Sequence, residues 1–352
     1  MVLASSTVFA EWFFRVLLGT VAPSPQTATA PVTQEFYDTA LTYSHLSNIA
    51  YCINAPFESL KTDFSCGVAC SHFPNMELVE AFGGEFFETS ITGYLAIDHV
   101  KKEKYVVYRG TFDIGDVYTD IQLAQSPYLV TASMFDSPDN LCEGCTIHDG
   151  FNKAYKETMV NIGDKLEQHL TNNSDYKLVV AGHSLGAAIA VLSATSIKAK
   201  GFDPYLFTYG QPRIGNANFA QFVSKMWFGD GDGLSMGPDR RLFRISHWND
   251  LFVGFPAFKD YVHSVGEIYI DYYTVNPPLN TLYSCAGPES MSCYRKDFNA
   301  IERANILKNH LAYIDWLSLC TLNVGRRELQ ERGRRFEGKF LYGGIANGTI
   351  IF

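Results

Sequence analysis

Apolar and polar residues alternate with two different periods through the middle of the chain. Short apolar runs rich in β-branched and aromatic residues are followed by longer stretches in which apolar residues recur every three or four positions. From residue 151 onward this alternation predicts strands separated by helices, a pattern typical of a largely parallel sheet covered by helices on both faces. The predicted strands are KLVVAG (177–182), PYLFTYG (204–210), LFRISH (242–247) and VGEIYID (265–271), and the predicted helices span 152–170 and 185–200.

The first part of the chain carries a different pattern. Apolar residues at helical spacing predict a helix through Tyr37–Ile49, and the runs ITGYLAID (91–98) and KYVVYRG (104–110) predict a hairpin closed by a charged turn. Near the other end, an amphipathic pattern predicts a last helix over Phe298–Leu317. The predicted class is therefore α/β.

Both ends differ in composition from this middle part. The first 22 residues are largely apolar but lack a basic region before the apolar run, so they form an irregular secretory signal. Residues 23–34 are rich in Pro, Thr and Ala and predict a linker, so that 1–34 is leader and linker and 35–320 is a single catalytic domain. We expect residues 321–352 to form a disordered tail. No later window contains about 18 uncharged apolar residues, so no transmembrane anchor is expected.

Charge excludes one class of partner. The formal net charge is −9 and the pI is about 5.5, and Lys and Arg form no basic stripe, so we expect no nucleic-acid binding. Two glycosylation sequons begin at Asn172 and Asn347 and agree with a secreted protein.

The eight cysteines favour disulfides. Eight residues allow about 105 pairings, which sequence alone cannot distinguish. The alternative is a zinc site on Cys142 and Cys145, but no second CxxC motif lies at a suitable interval. Three close pairs suggest local loops and leave a long-range pair, namely Cys66 and Cys70, Cys142 and Cys145, Cys285 and Cys293, with Cys52 and Cys320 remaining.

The segment VVAGHSLGAA (179–188) contains a candidate nucleophile, Ser184, in a GxSxG motif between a predicted strand and a predicted helix. A sharp turn that exposes a serine needs neighbours without bulk, which Gly182 and Gly186 supply. The helix after it directs free N–H groups toward a developing oxyanion. The alternative is a purely structural turn. A serine nucleophile also needs a base and an acid to orient that base.

In this arrangement the chain order is serine, acid, histidine. Asp250 follows the predicted strand LFRISH and is the candidate acid, with Asp271 as the alternative. His310 and His263 compete as the base, and His263 precedes its strand, which places it at the wrong edge of a parallel sheet. We expect His183, beside the serine, to pack at the turn.

The loop after the second hairpin strand is the candidate source of further oxyanion donors. Thr111 could donate its N–H and its hydroxyl, beside the N–H of Leu185. The residues that follow predict a short amphipathic helix over 112–121, which would be either a lid or an ordinary surface helix. Its apolar stripe consists of Ile114, Val117, Tyr118 and Ile121.

These motifs together resemble the fungal class 3 triacylglycerol lipases, most closely the secreted yeast lipases of the Yarrowia type. The resemblance extends from about Glu35 to Cys320. The segments that carry it are LSNIAYCIN, FSCGVACSHFPNMELVEAF, GYLAIDH, YRGT, IHDGF, AGHSLGAA, YGQPRIGNANFA, RISHWNDLF, HSVGEIYID, PPL and NHLAYI.

The resemblance implies an α/β-hydrolase fold with Ser184 as nucleophile, Asp250 as acid and His310 as base. It further implies an oxyanion role for Thr111, a lid over 112–121 and the four cysteine pairs named above. The chain departs from the family where Leu-Gly-Ala replaces Leu-Gly-Gly after the serine, in the lid, and in the sequence after Asp250, which changes the wall of the expected acyl site.

The sequence therefore predicts a secreted triacylglycerol lipase that cleaves ester bonds through an acyl-enzyme, with no metal or organic cofactor. The expected partner is lipid at an oil–water interface, contacted transiently by a monomer. Two alternatives remain open: another carboxylesterase on the same scaffold, such as a feruloyl esterase or a phospholipase, or a catalytically silent hydrolase fold used for binding.

Overall fold

A computed structural model of the 352-residue chain describes residues 29–55, 59–83, 91–111, 124–128, 142–257, 260–294, 306–318, 320, 345–346 and 349–350. Contacts divide the chain into two units, Met1–Cys320 and Thr321–Phe352. In the second unit, the described residues Ile345–Ala346 and Thr349–Ile350 pair as a short antiparallel ladder. The expected disorder of the tail stays a prediction.

The described residues of the first unit form both strands and helices. The strands are β1 (Thr29–Pro31), β2 (Met76–Phe82), β3 (Gly93–Asp98), β4 (Glu103–Tyr108), β5 (Gln125–Pro127), β6 (Thr146–His148), β7 (Lys177–His183), β8 (Tyr205–Tyr209), β9 (Leu242–His247), β10 (Glu267–Ile270) and β11 (Leu282–Cys285). The helices are α1 (Gln34–Ile49), α2 (Val68–Ser71), α3 (Asp149–Thr171), α4 (Leu185–Ala199), α5 (Ala217–Phe228) and α6 (Ile306–Leu311).

The central sheet is mixed and, over the described residues, has nine strands in the order β1-β11-β10-β9-β8-β7-β4-β3-β2. Its centre is parallel, from β4 through β7, β8 and β9 to β10. Both margins are antiparallel. The predicted hairpin is the β3–β4 pair at one margin, and the parallel part of the predicted sheet is its centre.

Helices cover both faces of this sheet, as predicted. Helix α1 packs with one buried cluster, and α3, α4 and α5 pack with a second. Alternate residues of β7 belong to different clusters: Val179 and Ala181 to the first, Leu178 and Val180 to the second. Successive strand residues face opposite sides of a sheet, so an uninterrupted apolar run is what a strand buried on both faces requires.

Two elements differ from the sequence predictions. Part of the predicted linker forms β1, an edge strand on which Ala30 lies opposite Ser284. Pro31 fits there because an edge position leaves its missing N–H without cost. Helix α1 then begins at Gln34, capped by the Thr33 hydroxyl, which accepts the N–H of Phe36 at 3.1 Å.

The last predicted helix ends early. Helix α6 stops at Leu311, and Ala312 bridges instead to Trp316. Residues 312–314 are fully buried, and the Ile314 carbonyl accepts a tertiary hydrogen bond from the Asn276 N–H at 2.9 Å. Residues 295–305, which include the predicted start at Phe298, lie outside the described part of the chain.

Each cysteine is paired in the structure. The close spacings and the family resemblance predicted the same four pairs. Because Cys142 is bonded to Cys145, neither sulfur is available as a thiolate ligand for the alternative zinc site. The disulfides are Cys52–Cys320, Cys66–Cys70, Cys142–Cys145 and Cys285–Cys293.

Candidate active site

Ser184 occupies a sharp turn between β7 and α4. Its backbone φ is 58°, in the left-handed region that non-glycine residues rarely adopt, and such strain is typical of functional sites. A Cβ at Gly182 would overlap the carbonyl oxygen of Gly186, and a Cβ at Gly186 would overlap that of Tyr108. The glycines of the GxSxG motif are therefore required by packing, and the turn directs the serine away from the strand.

Asp250 and His310 form a buried pair, although 60 residues separate them along the chain. Asp250 directly follows the His247–Asn249 turn at the carboxyl end of β9, and His310 lies in α6. His310 Nδ1 is 2.8 Å from Asp250 Oδ2 and 3.0 Å from Oδ1. Both side chains are fully buried, so solvent does not screen the interaction.

Hydrogen bonds hold the Asp250 carboxylate on several sides. The Tyr313 hydroxyl donates to Oδ2 at 2.5 Å and the Phe252 N–H donates to Oδ1 at 2.9 Å. Burial raises the pKa of Asp250, but His310 and the hydrogen bonds from His310 and Tyr313 outweigh it and hold that pKa below its ordinary value. The carboxylate is thus ionised and accepts only.

The other ring nitrogen of His310 is available. His310 Nε2 is buried and has no hydrogen-bond partner among the described residues, Ser184 included. Ser184 and His310 nevertheless both lie close to the end of β8, where the Ser184 N–H donates to Tyr209 O at 2.9 Å. A Cβ at the next residue, Gly210, would lie 2.8 Å from His310 Cε1. A general base needs an unoccupied nitrogen of this kind, and its bond to the nucleophile often tightens only with substrate.

The competing candidates have other partners. His263 Nε2 is 2.7 Å from the carbonyl oxygen of Val253. The alternative acid, Asp271, directly follows β10, and its N–H donates to the Thr281 carbonyl at 2.8 Å. The structure therefore brings His310, and not His263, against Asp250.

Comparison with known proteins identifies the family of the chain. The model of the class 3 lipase family matches residues 105–259. A search of solved structures finds the crystal structure of Lip2 lipase from Yarrowia lipolytica, 36% identical, with a TM-score of 0.78 and coverage of 84% of this chain and 98% of that chain. This chain belongs to the class 3 lipase family. Its fold is the α/β-hydrolase fold, and the family predicted from the sequence motifs is confirmed.

Curated relatives of this class 3 lipase include two secreted fungal proteins. Secreted mono- and diacylglycerol lipase 2 of Gibberella zeae is 28% identical over 295 residues, 77% of this chain and 70% of the relative. Secreted mono- and diacylglycerol lipase A of Penicillium cyclopium is 31% identical over 205 residues, 56% of this chain and 59% of the relative. With the disulfides, these relatives identify the lipase as secreted. Among the described helices, none combines the length and the hydropathy of a membrane span.

In this lipase, His183 supports the backbone of His310. His183 Nε2 is 2.9 Å from the His310 carbonyl oxygen and Nδ1 is 2.7 Å from the Tyr51 hydroxyl. A carbonyl oxygen only accepts, so Nε2 carries the proton and Nδ1 accepts from Tyr51. Burial, and then the charge of His310, lower the pKa of His183 to about 3, so the ring is neutral.

The candidate oxyanion donors of the lipase lie beside the serine. A Cβ at Gly110 would lie 2.9 Å from Ser184 Cβ, so the loop that leads into Thr111 contacts the sharp turn at Ser184. Leu185 is the first residue of α4, where an N–H has no intrahelical acceptor. The expected lid residues Ile114, Val117, Tyr118 and Ile121 lie outside the described residues.

The remaining predicted sites fall in other places. Asn172 follows the last turn of α3 and is exposed, and Asn347 lies outside the described residues. Sequence reasoning did not single out Tyr313 or Tyr51 as part of the site. Tyr313 follows His310 by three residues within the NHLAYI motif, and a buried tyrosine at that spacing is the signal that could have identified it.

Proposed function

We propose that this lipase hydrolyses the carboxylic ester bonds of acylglycerols, triacylglycerols included, with Ser184 as nucleophile, His310 as general base and Asp250 as the acid that orients it. The observation that carries the proposal is the buried Asp250–His310 pair, whose unoccupied Nε2 lies at the sheet edge that bears Ser184. The named activities of the fungal relatives support the choice of substrate class.

In the proposed reaction, Ser184 Oγ attacks the ester carbonyl carbon while His310 Nε2 takes the serine proton. The Asp250 carboxylate stabilises the resulting imidazolium and holds Nδ1 toward itself. The N–H of Leu185 and the N–H and hydroxyl of Thr111 would hold the oxyanion. Each such donor is worth about 10²- to 10³-fold in kcat.

The imidazolium then gives its proton to the departing glycerol oxygen, and the acyl group stays on Ser184. Water enters, loses a proton to His310 Nε2 and attacks the acyl carbon, and the acid product leaves as the proton returns to Ser184. Each half-reaction begins and ends with a neutral His310. The scheme uses no metal or organic cofactor.

Finer statements belong to the same proposal. The lipase acts as a monomer and contacts the oil–water interface transiently, with no membrane-spanning helix among the described residues. Catalysis resides in a domain spanning 35–320, which coincides with most of the first unit.

A phosphonate that reacts with activated serines tests the nucleophile. Labelling should fall on the peptide that contains Ser184 and disappear in Ser184→Ala, together with emulsion hydrolysis. The exposed Ser71 provides a matched control, since Ser71→Ala should keep both. Unchanged hydrolysis in Ser184→Ala, or a wild-type protein that takes up no label, would contradict the triad and favour a silent fold.

A substrate series tests the lipase assignment against other esterases. We expect faster hydrolysis of emulsified long-chain triacylglycerols than of tributyrin, and slow turnover of phosphatidylcholine and of feruloyl esters. No preference for acyl chains longer than butyrate would contradict the lipase proposal, and a preference for either of the last two would identify the corresponding esterase.

A further inference from the structure

The turn after β8 carries a buried ion pair that the proposed reaction does not use. Arg213, in the YGQPRIGN segment, forms a bidentate salt bridge with Glu289. Nε is 2.9 Å from Oε1 and Nη2 is 2.9 Å from Oε2. The two side chains are 3% and 8% exposed. Glu289 comes from the small loop closed by the Cys285–Cys293 disulfide. A bidentate salt bridge fixes the plane of the guanidinium as well as its position.

Arg213, Glu289 and His263 form a hydrogen-bonded group, here called the Arg213 unit. The remaining donors of this group bond to one short segment. The acid loop, residues 251–256, follows Asp250 as a 3₁₀ turn and an irregular stretch. Its last four carbonyl oxygens all accept hydrogen bonds from Arg213 or from His263. The bonds run from His263 Nε2 to Val253 at 2.7 Å, from Arg213 Nη1 to Gly254 at 2.8 Å, from the Arg213 N–H to Phe255 at 2.6 Å and from Arg213 Nη1 to Pro256 at 3.3 Å.

His263 belongs to the same unit through Glu289. Its N–H donates to Glu289 Oε1 at 3.0 Å, while its ring donates to the Val253 carbonyl. Burial, and then the neighbouring Arg244, hold the pKa of His263 well below its ordinary value. The ring is thus neutral, with its proton on Nε2, because a carbonyl oxygen can only accept.

The acid loop in turn contacts both members of the candidate acid–base pair. The Phe252 ring packs on the His310 imidazole, with centroids 4.2 Å apart, and the Phe252 N–H donates to Asp250 Oδ1. A shift of this loop would therefore move the wall behind the imidazole and remove one bond from the carboxylate. In a sheet, a neighbouring strand would donate hydrogen bonds to the carbonyls of this segment. In this irregular loop, Arg213 and His263 donate them instead.

We propose that Arg213, held by Glu289, is a positioning residue of this lipase: it fixes the acid loop and through Phe252 sets the orientation of His310 and Asp250. This inference rests on the triad proposed above. Sub-ångström placement of a base relative to its nucleophile affects the chemical step more than substrate binding, so the expected effect lies in kcat.

Two substitutions test the unit, and a third is the matched control. Arg213→Lys keeps the charge but cannot reproduce the fork, and Glu289→Gln keeps an amide oxygen for Arg213 and for the His263 N–H. The control is Arg240→Lys, because Arg240 is comparably buried and donates to the carbonyls of Gly233, Leu242 and Gly266, none of which lies in the acid loop.

The measurements are kcat and KM on a soluble ester, the rate of phosphonate labelling, and the melting temperature, with activity assayed well below each melting point. Arg213→Lys should lower kcat and the labelling rate by about 10- to 100-fold with KM within about 2-fold. Glu289→Gln should lower kcat by a smaller factor. Arg240→Lys should lower the melting temperature yet keep kcat.

A wild-type kcat in folded Arg213→Lys, or an equal loss in Arg240→Lys, would overturn the positioning role. If Arg213→Lys does not fold, Glu289→Gln decides the matter by the same comparison. Ser184→Ala, assayed in parallel, separates the two proposals: residual hydrolysis there defeats the triad, whereas an inactive Ser184→Ala beside a fully active Arg213→Lys defeats only the positioning role.

Discussion

The parallel strands begin at one edge of the sheet, the amino edge, and end at the other, the carboxyl edge. Charged residues lie at both edges, but they are buried at one and exposed at the other. At the carboxyl edge, Asp250, His310 and Tyr313 are fully buried and hydrogen-bonded to one another. At the amino edge, Asp203 is 57% exposed and pairs with Lys198 at 2.7 Å. Low solvent access makes the first set strongly coupled, whereas exposed pairs contribute little.

A cavity reinforces the contrast. At the amino edge an opening of about 390 Å³ is lined by Lys104, Lys177, Asp203 and Arg241, among others. Lys104 donates there to three carbonyls at the end of α3, and Arg241 is bonded to Asp203. The charges of this cavity are thus engaged in structural bonds. Cavity size alone does not indicate reactivity, whereas a strained serine and a buried histidine nitrogen without a partner at the same edge of the sheet do.

Substituting one carboxylate at each edge should give the largest difference. Asp250→Asn keeps the shape but presents an N–H to His310 Nδ1, which reverses the ring's proton arrangement, and kcat should fall about 10⁴-fold. Asp203→Asn should leave kcat within about 2-fold. Steady-state hydrolysis of a soluble ester measures both, and similar losses would remove the functional distinction between the edges.

Acid stability should distinguish the edges next. His183 has a pKa of about 3 when folded, against 6.5 ordinarily, so between these values the unfolded chain binds a proton that the folded chain does not. This difference in the pKa of His183 therefore lowers the free energy of unfolding as the pH falls from about 6.5 toward 3. The decrease is at most about 1.4 kcal/mol per pH unit.

His183→Gln keeps a donor for the His310 carbonyl but cannot titrate, so urea unfolding at a series of pH values should show a shallower slope. His99→Gln, at a side chain near the amino edge that is 53% exposed, is the matched comparison. An unchanged slope in His183→Gln would mean that this ring is protonated in the folded protein.

Tyr313→Phe should have a smaller effect. It removes a donor to an ionised, buried carboxylate and should cost about 1.5–3 kcal/mol of unfolding free energy, together with a reduced kcat. Tyr155 is equally buried but bonds the neutral Ser196 hydroxyl at 2.8 Å, so Tyr155→Phe should cost about 0.5–1.5 kcal/mol with kcat kept. Chemical denaturation and ester hydrolysis compare the two variants.

The smallest effect is expected at a fully hydrated pair. Lys102 and Asp175 are 3.3 Å apart, with side chains 64% and 66% exposed. Lys102→Ala should change the unfolding free energy by less than about 0.5 kcal/mol. A larger loss in denaturant titration would show that this edge contributes more than exposed pairs do.

Sequence reasoning reached the fold and the candidate triad because both depend on local signals. Strand runs, the GxSxG spacing and the order of serine, acid and histidine are all visible along the chain. Spacing did not by itself separate His310 from His263, and the family resemblance decided between them. The catalytic roles stay predictions, while the contact between Asp250 and His310 is present in the structure.

Other features were hidden because they join distant segments. Nothing near Arg213 indicates a partner at Glu289, which is 76 residues away, and the Tyr51–His183 bond spans 132 residues. The end of α6 was also missed, because the apolar period continues to Leu317 while the backbone there bonds to a distant segment, from the Asn276 N–H to the Ile314 carbonyl. Local pattern specifies elements, whereas long-range bonds between loops require the assembled fold.

The Cys52–Cys320 bond spans 268 residues, so the backbone from the end of α1 to the segment after His310 forms a closed covalent ring. One proteolytic cut at an exposed turn inside that ring, such as 99–102, would open it without releasing either piece. The fragment that carries Cys52 and the fragment that carries Ser184, His310 and Cys320 would then migrate together in an oxidised gel and separate only after a reductant is added.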